Sequence, residues 1–285
     1  MDPGRLVEGF RVAAPGVATP LAIRVVRRFL VPFTRLLHRP VLEGVEHLPE
    51  GPFLLVANHS GCMGLAEIDS FIACWVERFG GERPIAGFAH PISFTAWPLT
   101  WIMKQVGGIP STYAAAEATL AAGVPILLFP GGDHDALRPV WRAFDVDFGG
   151  RLGFLRIART MNVPIVPLGI RGSHFTAPPL VRAHLLSWLA IWPRLFGIKR
   201  FTITVLGVLG AMAIAQWVPY AWPWRTLIAW AWLASPLSLL PWLPWTVRLR
   251  IGPPLLPEEL FATDDLPRAL EQVERAVEAE VRARH

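Results

Sequence analysis

The stretch that most constrains this chain is residues 53–61, with the sequence FLLVANHSG. Its apolar residues end abruptly at Asn58 and His59, and Gly61 follows two residues later. An apolar run that stops at polar and glycine residues predicts a buried strand followed by a turn into a helix. Because open α/β sheets carry their chemistry at the carboxyl ends of strands, His59 lies where a catalytic base is expected.

A second stretch of the same form lies at residues 124–133, with the sequence VPILLFPGGD. It predicts another buried strand that ends in a glycine-bearing turn. The carboxyl ends of parallel strands meet at one edge of a sheet, so the two stretches predict a shared cleft.

Strands and helices alternate along most of the chain, which predicts an α/β fold: a single mixed, largely parallel sheet flanked by helices. The chain has 285 residues, and this length predicts an N-terminal segment at residues 1–39 followed by one large domain at residues 40–285. Strands are predicted at residues 41–45, 53–57, 84–88, 125–129, 163–169 and 247–251. Helices are predicted at residues 66–79, 96–106, 114–122, 152–161, 177–196 and 265–284, the last one amphipathic.

The composition indicates a protein that associates with a membrane surface. The chain is 53% hydrophobic and 17% charged, and it holds thirteen tryptophans, a residue that favours the membrane interface. Residues 19–38 carry arginines among apolar residues without any acidic residue. They predict a basic amphipathic helix that lies on a membrane, or else an ordinary helix packed on the domain.

Residues 201–247 form an apolar insertion in which Arg225 is the only charge. Prolines divide it into helical pieces shorter than the roughly 20 residues that a transmembrane helix needs. We therefore expect a shallow hairpin embedded in one leaflet, with a tight hairpin of two spans as the lesser alternative. The N-terminus does not resemble a signal peptide, so the protein is expected at the cytoplasmic face of the cell membrane, as a peripheral or monotopic protein.

The formal charge of +5 and the pI of about 10.0 favour an anionic partner. The chain has only two lysines, no basic run and no nucleic-acid motif, so nucleic acid is not expected. Anionic lipid headgroups or a phosphorylated cofactor fit better. Cys62 and Cys74 are too few for a disulfide framework or a cysteine-based zinc site.

His59 is the first candidate for chemistry, as a general base. Such a base needs a carboxylate on its second ring nitrogen, and Glu67 and Asp69 are the nearest downstream.

The second candidate is the turn after residue 129. The Gly131 and Gly132 amides can face an oxyanion or a phosphate, and Arg138 is either an anion clamp or surface charge. Asp133 is expected beside the substrate. Asp133, His134 and Asp135 are adjacent residues, which rarely converge on one ion, so no metal is expected.

An ordered set of motifs, taken together, resembles the lysophospholipid and glycerolipid acyltransferase superfamily. The motifs are GVEHLP at residues 44–49, ANHSG at 57–61, GIP at 108–110, FPGG at 129–132, VPIVP at 163–167 and IGPPL at 251–255. The resemblance covers roughly residues 40–256, and its Pro-Gly-Gly form is similar to the diacylglycerol acyltransferase-like branch.

The resemblance implies acyl transfer to the hydroxyl of a lysophospholipid or related glycerolipid, without an acyl-enzyme intermediate. Acyl-CoA or an acyl carrier protein would be the co-substrate, with no cofactor, and membrane lipids would be the partners. His59 matches the histidine of the His-x-x-x-x-Asp pair of the family, but Gly64 stands at the aspartate position. Asp69 is then expected to hold the imidazole, with Glu67 as the alternative, while Ser60 and Gly61 contact the substrate.

Two further departures concern the acceptor. Residues 111–113, where the family often carries a phosphate-binding arginine, are Ser-Thr-Tyr, and Gly131 replaces the glutamate of Phe-Pro-Glu-Gly. The alternatives are therefore a diacylglycerol or other lipid-alcohol acyltransferase, a lipid hydrolase with Ser60 or Cys62 as nucleophile, and a non-catalytic lipid-binding protein.

Overall fold

The structure is a computed structural model that describes residues 16–95, 97–195 and 198–283. Residues 1–15 of the expected N-terminal segment lie outside the described residues, as do residues 96, 196 and 284 of three predicted helices.

A seven-stranded mixed sheet forms the centre of the domain, with the strand order β1-β9-β6-β2-β5-β3-β4. Strands β6, β2, β5, β3 and β4 are parallel to one another, and β9 pairs antiparallel with β6. The predicted mixed, largely parallel sheet is confirmed. The strands are β1 (Val41–Glu43), β2 (Leu54–Ala57), β3 (Ala86–Ala89), β4 (Gly108–Pro110), β5 (Ile126–Leu128), β6 (Ile165–Arg171), β7 (Pro179–Ala183), β8 (Phe201–Thr204) and β9 (Arg248–Ile251).

Helices cover both faces of this sheet, and others lie apart from it, in the region of β7 and β8 and the apolar insertion. They are α1 (Pro20–Val25), α2 (Val31–Leu37), α3 (Leu65–Phe79), α4 (Leu99–Gln105), α5 (Tyr113–Ala121), α6 (Gly132–Ala136), α7 (Gly153–Met161), α8 (His184–Leu189), α9 (Trp192–Leu195), α10 (Val205–Trp217), α11 (Trp222–Ala234), α12 (Pro257–Leu260) and α13 (Leu266–Arg282). Those that lie apart from the sheet are α8 to α11. A π-helical turn at Val26–Leu30 joins α1 to α2, so residues 20–37 form one continuous helical segment.

Strand β2 is buried on both sides, as its uninterrupted apolar sequence predicts. Leu54 and Val56 pack into the core beneath α5, α7 and α13, whereas Leu55 and Ala57 pack into the core beneath α3. Side chains alternate between the two faces of a strand, so the position of His59 beyond β2 is fixed by two separate cores.

The C-terminal helix α13 packs directly on β6. Its fully buried face consists of Val273, Val277 and Val281, which confirms the predicted amphipathic helix. At Gly169 in the middle of β6, an added Cβ would lie 2.5 Å from Val281 N, so only glycine allows this close approach of helix and strand.

The helix predicted at residues 177–196 is wrong in its first part. Residues 179–183 form β7, which pairs antiparallel with β8 in a separate two-stranded sheet, and helix begins only at His184. The apolar insertion therefore starts with a strand and continues as the two helices α10 and α11, of 13 residues each. In the described part of the chain, no helix is both long and apolar enough to cross a membrane.

Candidate active site

Strand β2 carries His59 to the edge of the sheet, and Asn58 fixes the end of that strand. The Asn58 amide donates to Ile170 O at 2.9 Å, and its oxygen accepts from Ile170 N–H at 2.7 Å. Asn58 is fully buried, so this pair of bonds replaces the backbone ladder where β2 and β6 separate.

The backbone of His59 is held by a buried ion pair from the neighbouring turn. His59 N–H donates to Asp135 Oδ2 at 2.5 Å, and His59 O accepts from Arg138 Nη1 at 3.1 Å. Asp135 and Arg138 also form an ion pair with each other. Burial raises the pKa of Asp135 to about 6, and the Arg138 charge and the His59 N–H oppose that rise.

The imidazole of His59 is bound through Nδ1 to a carboxylate oxygen of Glu67. Glu67 is fully buried, in the first turn of α3, where the helix dipole favours a negative charge. It also accepts from the Ser60 N–H at 2.9 Å, from the Ser60 hydroxyl at 2.6 Å and from the Ser173 hydroxyl at 3.2 Å. These donors fix the carboxylate, and the carboxylate fixes the ring.

The His59–Glu67 contact leaves Nε2 as the ring atom for chemistry. When the ring is neutral, Nδ1–H donates to Glu67, so Nε2 carries the lone pair. Among residues 16–95, 97–195 and 198–283, no side chain or backbone group hydrogen bonds to Nε2. The His59 side chain is 17% exposed and its ring lies 4.8 Å from that of Phe129, just before the Gly131–Gly132 turn.

The charge of Glu67 changes the pKa of His59. Burial and the charge of Arg138 lower the pKa of His59, but the negative charge and hydrogen bond of Glu67, together with the charge of Asp135, raise that pKa by more, and the net direction is upward. A raised pKa makes the neutral imidazole a stronger proton acceptor.

Gly64 explains why the carboxylate comes from residue 67 rather than residue 64. An added Cβ at Gly64 would lie 2.1 Å from His59 Cε1, so the ring occupies the space where a side chain at 64 would begin. Gly64 also has a φ of 69°, which glycine tolerates best. One helical turn further on, Glu67 has the length to reach the ring.

The expectation that Asp69 holds the imidazole is wrong. On α3, Asp69 is rotated by roughly 200° from Glu67, so the two carboxylates lie on opposite faces of the helix. In the described residues, no hydrogen bond or ion pair joins Asp69 to His59. Burial raises the pKa of Asp69 to about 6.

Arg138 is not an anion clamp. Its side chain is only 3% exposed, and its guanidinium donates to Arg142 O at 2.9 Å and to Ala143 O at 3.3 Å, besides the contacts with His59 and Asp135. An arginine whose donors are used inside the protein cannot grip a substrate, so it holds the turn instead.

Two other predicted contacts of this turn, those of Gly132 and Asp133, also change. Gly132 N–H donates to Phe129 O at 3.3 Å, so its amide belongs to the turn and is not open to an oxyanion. At Gly131, an added Cβ would lie 2.2 Å from Asp135 Cβ, so the residue gives α6 room. Asp133 pairs with Arg151 at 2.9 Å rather than facing a substrate.

Ser60, Gly61 and Cys62 lie behind the His59–Glu67 pair, not beside a substrate. Ser60 is 1% exposed, and its hydroxyl bonds to Glu67 and Ser173. Gly61 packs against Ser173 O, 2.8 Å from where a Cβ would lie. Cys62 is buried, its thiol donates to Ala177 O at 3.3 Å, and burial raises its pKa well above the ordinary value. Neither Ser60 nor Cys62 hydrogen bonds to His59, so the geometry does not form a nucleophile–histidine pair.

Asn58, Asp135 and Ser173 are the residues that sequence reasoning missed. Ser173 follows the carboxyl end of β6, so the rule that identified His59 also points to it. For Asp135 no comparable signal exists, because an acidic residue in a short polar turn has the sequence character of surface charge.

Residues 39–171, which span β1 to β6, match the family model Acyltransferase. These residues, which are 133 of the 285 residues, therefore carry the likeness of this chain to the acyltransferase family.

The chain is similar to an uncharacterized protein of Mycobacterium leprae and to one of Mycobacterium tuberculosis, at 27% identity over 241 residues. These matches cover 84% of this chain and 57% or 58% of the relatives, so the chain spans little more than half of their length. Phytyl ester synthase 2 of Arabidopsis thaliana is 29% identical over 140 residues, which cover 46% of this chain and 19% of that protein.

Among solved structures, the 1-acyl-sn-glycerophosphate (LPA) acyltransferase PlsC from Thermotoga maritima shares the fold. The TM-score is 0.51 at 21% sequence identity, and the match covers 93% of this chain and 81% of that chain.

Proposed function

We propose that the protein is a membrane-associated O-acyltransferase that moves a fatty acyl group from a thioester donor to the hydroxyl of a lipid. The observation that carries this proposal is the orientation of His59, with Nδ1 bound to buried Glu67 and Nε2 left for a substrate. A histidine at a strand end whose pKa is raised by a buried carboxylate suits general-base deprotonation of an alcohol, which a thioester acyl transfer requires.

The reaction proceeds by direct attack. His59 Nε2 takes the proton of the lipid hydroxyl while the oxygen attacks the thioester carbonyl, and Glu67 stabilises the imidazolium that forms. The tetrahedral intermediate then expels the thiolate, which takes the proton from His59 and leaves as the free thiol. The absence of a Ser60–His59 or Cys62–His59 hydrogen bond favours this route over an acyl-enzyme.

A lysophospholipid or related glycerolipid is the first acceptor to test, because a solved relative by fold is named an LPA acyltransferase. A neutral lipid alcohol is the second, for two reasons. Another relative is named a phytyl ester synthase, and Thr112, where the family often carries an arginine, caps α5 by accepting from Ala115 N–H at 3.3 Å.

The test incubates the purified protein with radiolabelled acyl-CoA and separately with acyl carrier protein thioester. Lysophosphatidic acid, diacylglycerol and a long-chain alcohol serve as acceptors, and the lipids are separated by chromatography. We expect one acceptor to be acylated and His59→Ala to lower the rate by about 10²- to 10⁴-fold. His184→Ala is the matched control, because His184 hydrogen bonds to Lys199 O at 3.0 Å in the separate β7–β8 region.

Unchanged transfer by His59→Ala rules out the mechanism. Free fatty acid without any acylated lipid indicates a hydrolase, and no turnover of any donor indicates a binding protein.

We also propose that the protein binds the cytoplasmic face of the cell membrane through two apolar surfaces. The first lies on the helical segment at residues 20–37, where large apolar side chains spaced about four residues apart are exposed: Leu21, Val25, Phe29, Phe33 and Leu36. Arg24, Arg28 and Arg35 lie on the same helical segment, as in helices that lie in an anionic lipid interface.

The second surface is the hairpin of α10 and α11. Gly207 is its only buried residue among those described in the two helices, and large side chains are exposed along it: Leu209, Met212, Trp217, Trp222, Trp224, Leu227 and Trp230. Arg225, its one charge, donates to Ala215 O at 3.1 Å, in the last turn of α10, and to Tyr220 O at 2.7 Å, in the loop that follows. An apolar surface of this extent marks a membrane or partner site.

Co-sedimentation with vesicles that contain phosphatidylglycerol tests the membrane proposal. The double substitution Phe29→Ser and Phe33→Ser removes two side chains that are 67% and 54% exposed, and we expect at least a tenfold loss of vesicle affinity. The matched control is Leu256→Ser, at a 39% exposed residue in the loop before α12. Equal binding by all three proteins contradicts the proposal for this helical segment.

A further inference from the structure

A cavity of about 840 Å³ opens at the edge of the main sheet where β6 ends and β9 begins. Because β6 is parallel to β2, this is the same edge that carries His59. We call it the arginine cavity, after the guanidinium groups and aromatic rings that line it: Arg39, Arg171, Arg248, Phe144, Phe175 and Trp245.

The arginines of this cavity carry charge that the protein does not balance. Arg171 and Arg248 are directly opposite each other in the antiparallel pair β6–β9, so both side chains stand on one face of the sheet. Within the described ranges, neither they nor Arg39 forms an ion pair or a hydrogen bond with a carboxylate. Like charges directly opposite on a sheet are destabilising, so an anionic ligand explains why the two arginines are there.

The aromatic rings add a second requirement. The Arg171 guanidinium lies 4.9 Å from the centroid of the Phe144 ring, and the rings of Phe175 and Trp245 lie 5.0 Å apart. Trp245 is 49% exposed, so its ring offers a flat surface to a ligand. Arginines recognise phosphates, and exposed aromatic rings stack on nucleobases. A phosphorylated nucleotide meets both requirements, whereas a phospholipid headgroup has a phosphate but no base.

The cavity is connected to the His59–Glu67 pair through a single residue. Gly172 lines the cavity, and Ser173, which follows it, donates its hydroxyl to Glu67 at 3.2 Å. Ser173 and Glu67 are fully buried, and Arg171 and Arg248 face α13 whereas the His59 ring faces α3, so the arm of a ligand anchored in the cavity reaches His59 by passing over the edge of the sheet.

We propose that the arginine cavity binds the phosphorylated adenosine end of a coenzyme A thioester, with Arg39, Arg171 and Arg248 on its phosphates and Trp245 against its base. This inference rests on the proposed acyl transfer and identifies coenzyme A, rather than an acyl carrier protein, as the donor carrier. Carrier proteins present a phosphopantetheine arm without the adenosine, so they leave the aromatic part of the cavity unused.

Isothermal titration of the full chain with coenzyme A, and with 3′-dephospho-coenzyme A, tests the proposal without turnover. We expect Arg171→Gln and Arg248→Gln each to weaken coenzyme A binding by about tenfold or more, because each loses a charge-assisted contact. The matched control is Arg275→Gln, at an exposed ion pair with Glu271 on α13, with affinity within about twofold of wild type. Thermal melting of both cavity variants is expected at or above that of the wild type, since one of two opposed charges is gone.

Unchanged coenzyme A affinity in both cavity variants overturns the proposal. The proposal is also overturned if the cavity variants bind phosphatidic acid vesicles more weakly than the wild type but keep its affinity for coenzyme A. That result assigns the cavity to a lipid headgroup. The outcome is separable from the proposed function. A wild-type protein that binds coenzyme A through these arginines but acylates no lipid refutes only the proposed acyl transfer. Cavity variants that use acyl-CoA as well as the wild type does refute only the proposal for the cavity.

Discussion

Replacing Glu67 with glutamine removes the negative charge beside His59 while keeping the size of the side chain. Glu67 is fully buried and is the carboxylate that contacts the imidazole, so water cannot take its place. A hydrogen bond to a charged group is worth about 1.5–3 kcal/mol, and each 1.36 kcal/mol is tenfold in rate. We expect kcat to fall by about 10- to 150-fold.

The same substitution changes the pH dependence, and the sign follows from the charge. Glu67 raises the pKa of His59 because it stabilises the imidazolium, so its neutral replacement lowers that pKa. The base is active only when it is neutral, so activity rises with pH through the pKa of His59. In Glu67→Gln, the acid limb of kcat/KM against pH therefore moves to lower pH, even though the maximum falls.

Steady-state acyl transfer measured across pH separates this role from a structural one. Glu67→Asp keeps the charge but shortens the side chain, so it should lower kcat with a smaller shift of the acid limb. Asp69→Asn, on the opposite face of α3, is expected to stay within about twofold of wild type. The role of Glu67 as the partner of His59 is refuted if Glu67→Gln keeps the wild-type kcat and the acid limb of kcat/KM does not move. It is also refuted if Asp69→Asn, rather than Glu67→Gln, loses activity.

Two further substitutions test the packing around the same histidine. Gly64→Ala places a Cβ 2.1 Å from His59 Cε1 at a φ of 69°, so we expect transfer to be nearly abolished and stability to fall by about 1–2 kcal/mol. Activity that survives this variant contradicts the observed ring position. Arg138→Met leaves Asp135 as an unpaired buried charge, and urea unfolding should show a loss of about 3–5 kcal/mol. A stable Arg138→Met protein whose acyl-CoA KM alone rises would instead restore Arg138 as an anion clamp.

Short-range patterns predicted the parts of this fold that depend on local hydrophobicity. The apolar run before Asn58 gave β2 and the placement of His59, because a strand buried on both faces needs an uninterrupted apolar sequence. The apolar spacing at residues 265–284 gave α13, because one face of a helix repeats every three to four residues. The helix expected at residues 177–196 failed where β7 pairs with β8, a non-local contact that outweighs helical propensity.

What the sequence alone determined is that one histidine stands at the carboxyl end of a buried strand, with acidic residues close behind it. Which acidic residue serves it was decided by the tertiary structure, because the turn through Gly61 and Gly64 sets the rotation of α3 and thereby aims Glu67 inward and Asp69 away. Arg39, Arg171 and Arg248 are far apart in sequence and meet only through the pairing of β1, β9 and β6. Register and helix rotation are global properties of the packed chain, and so no local pattern contains them.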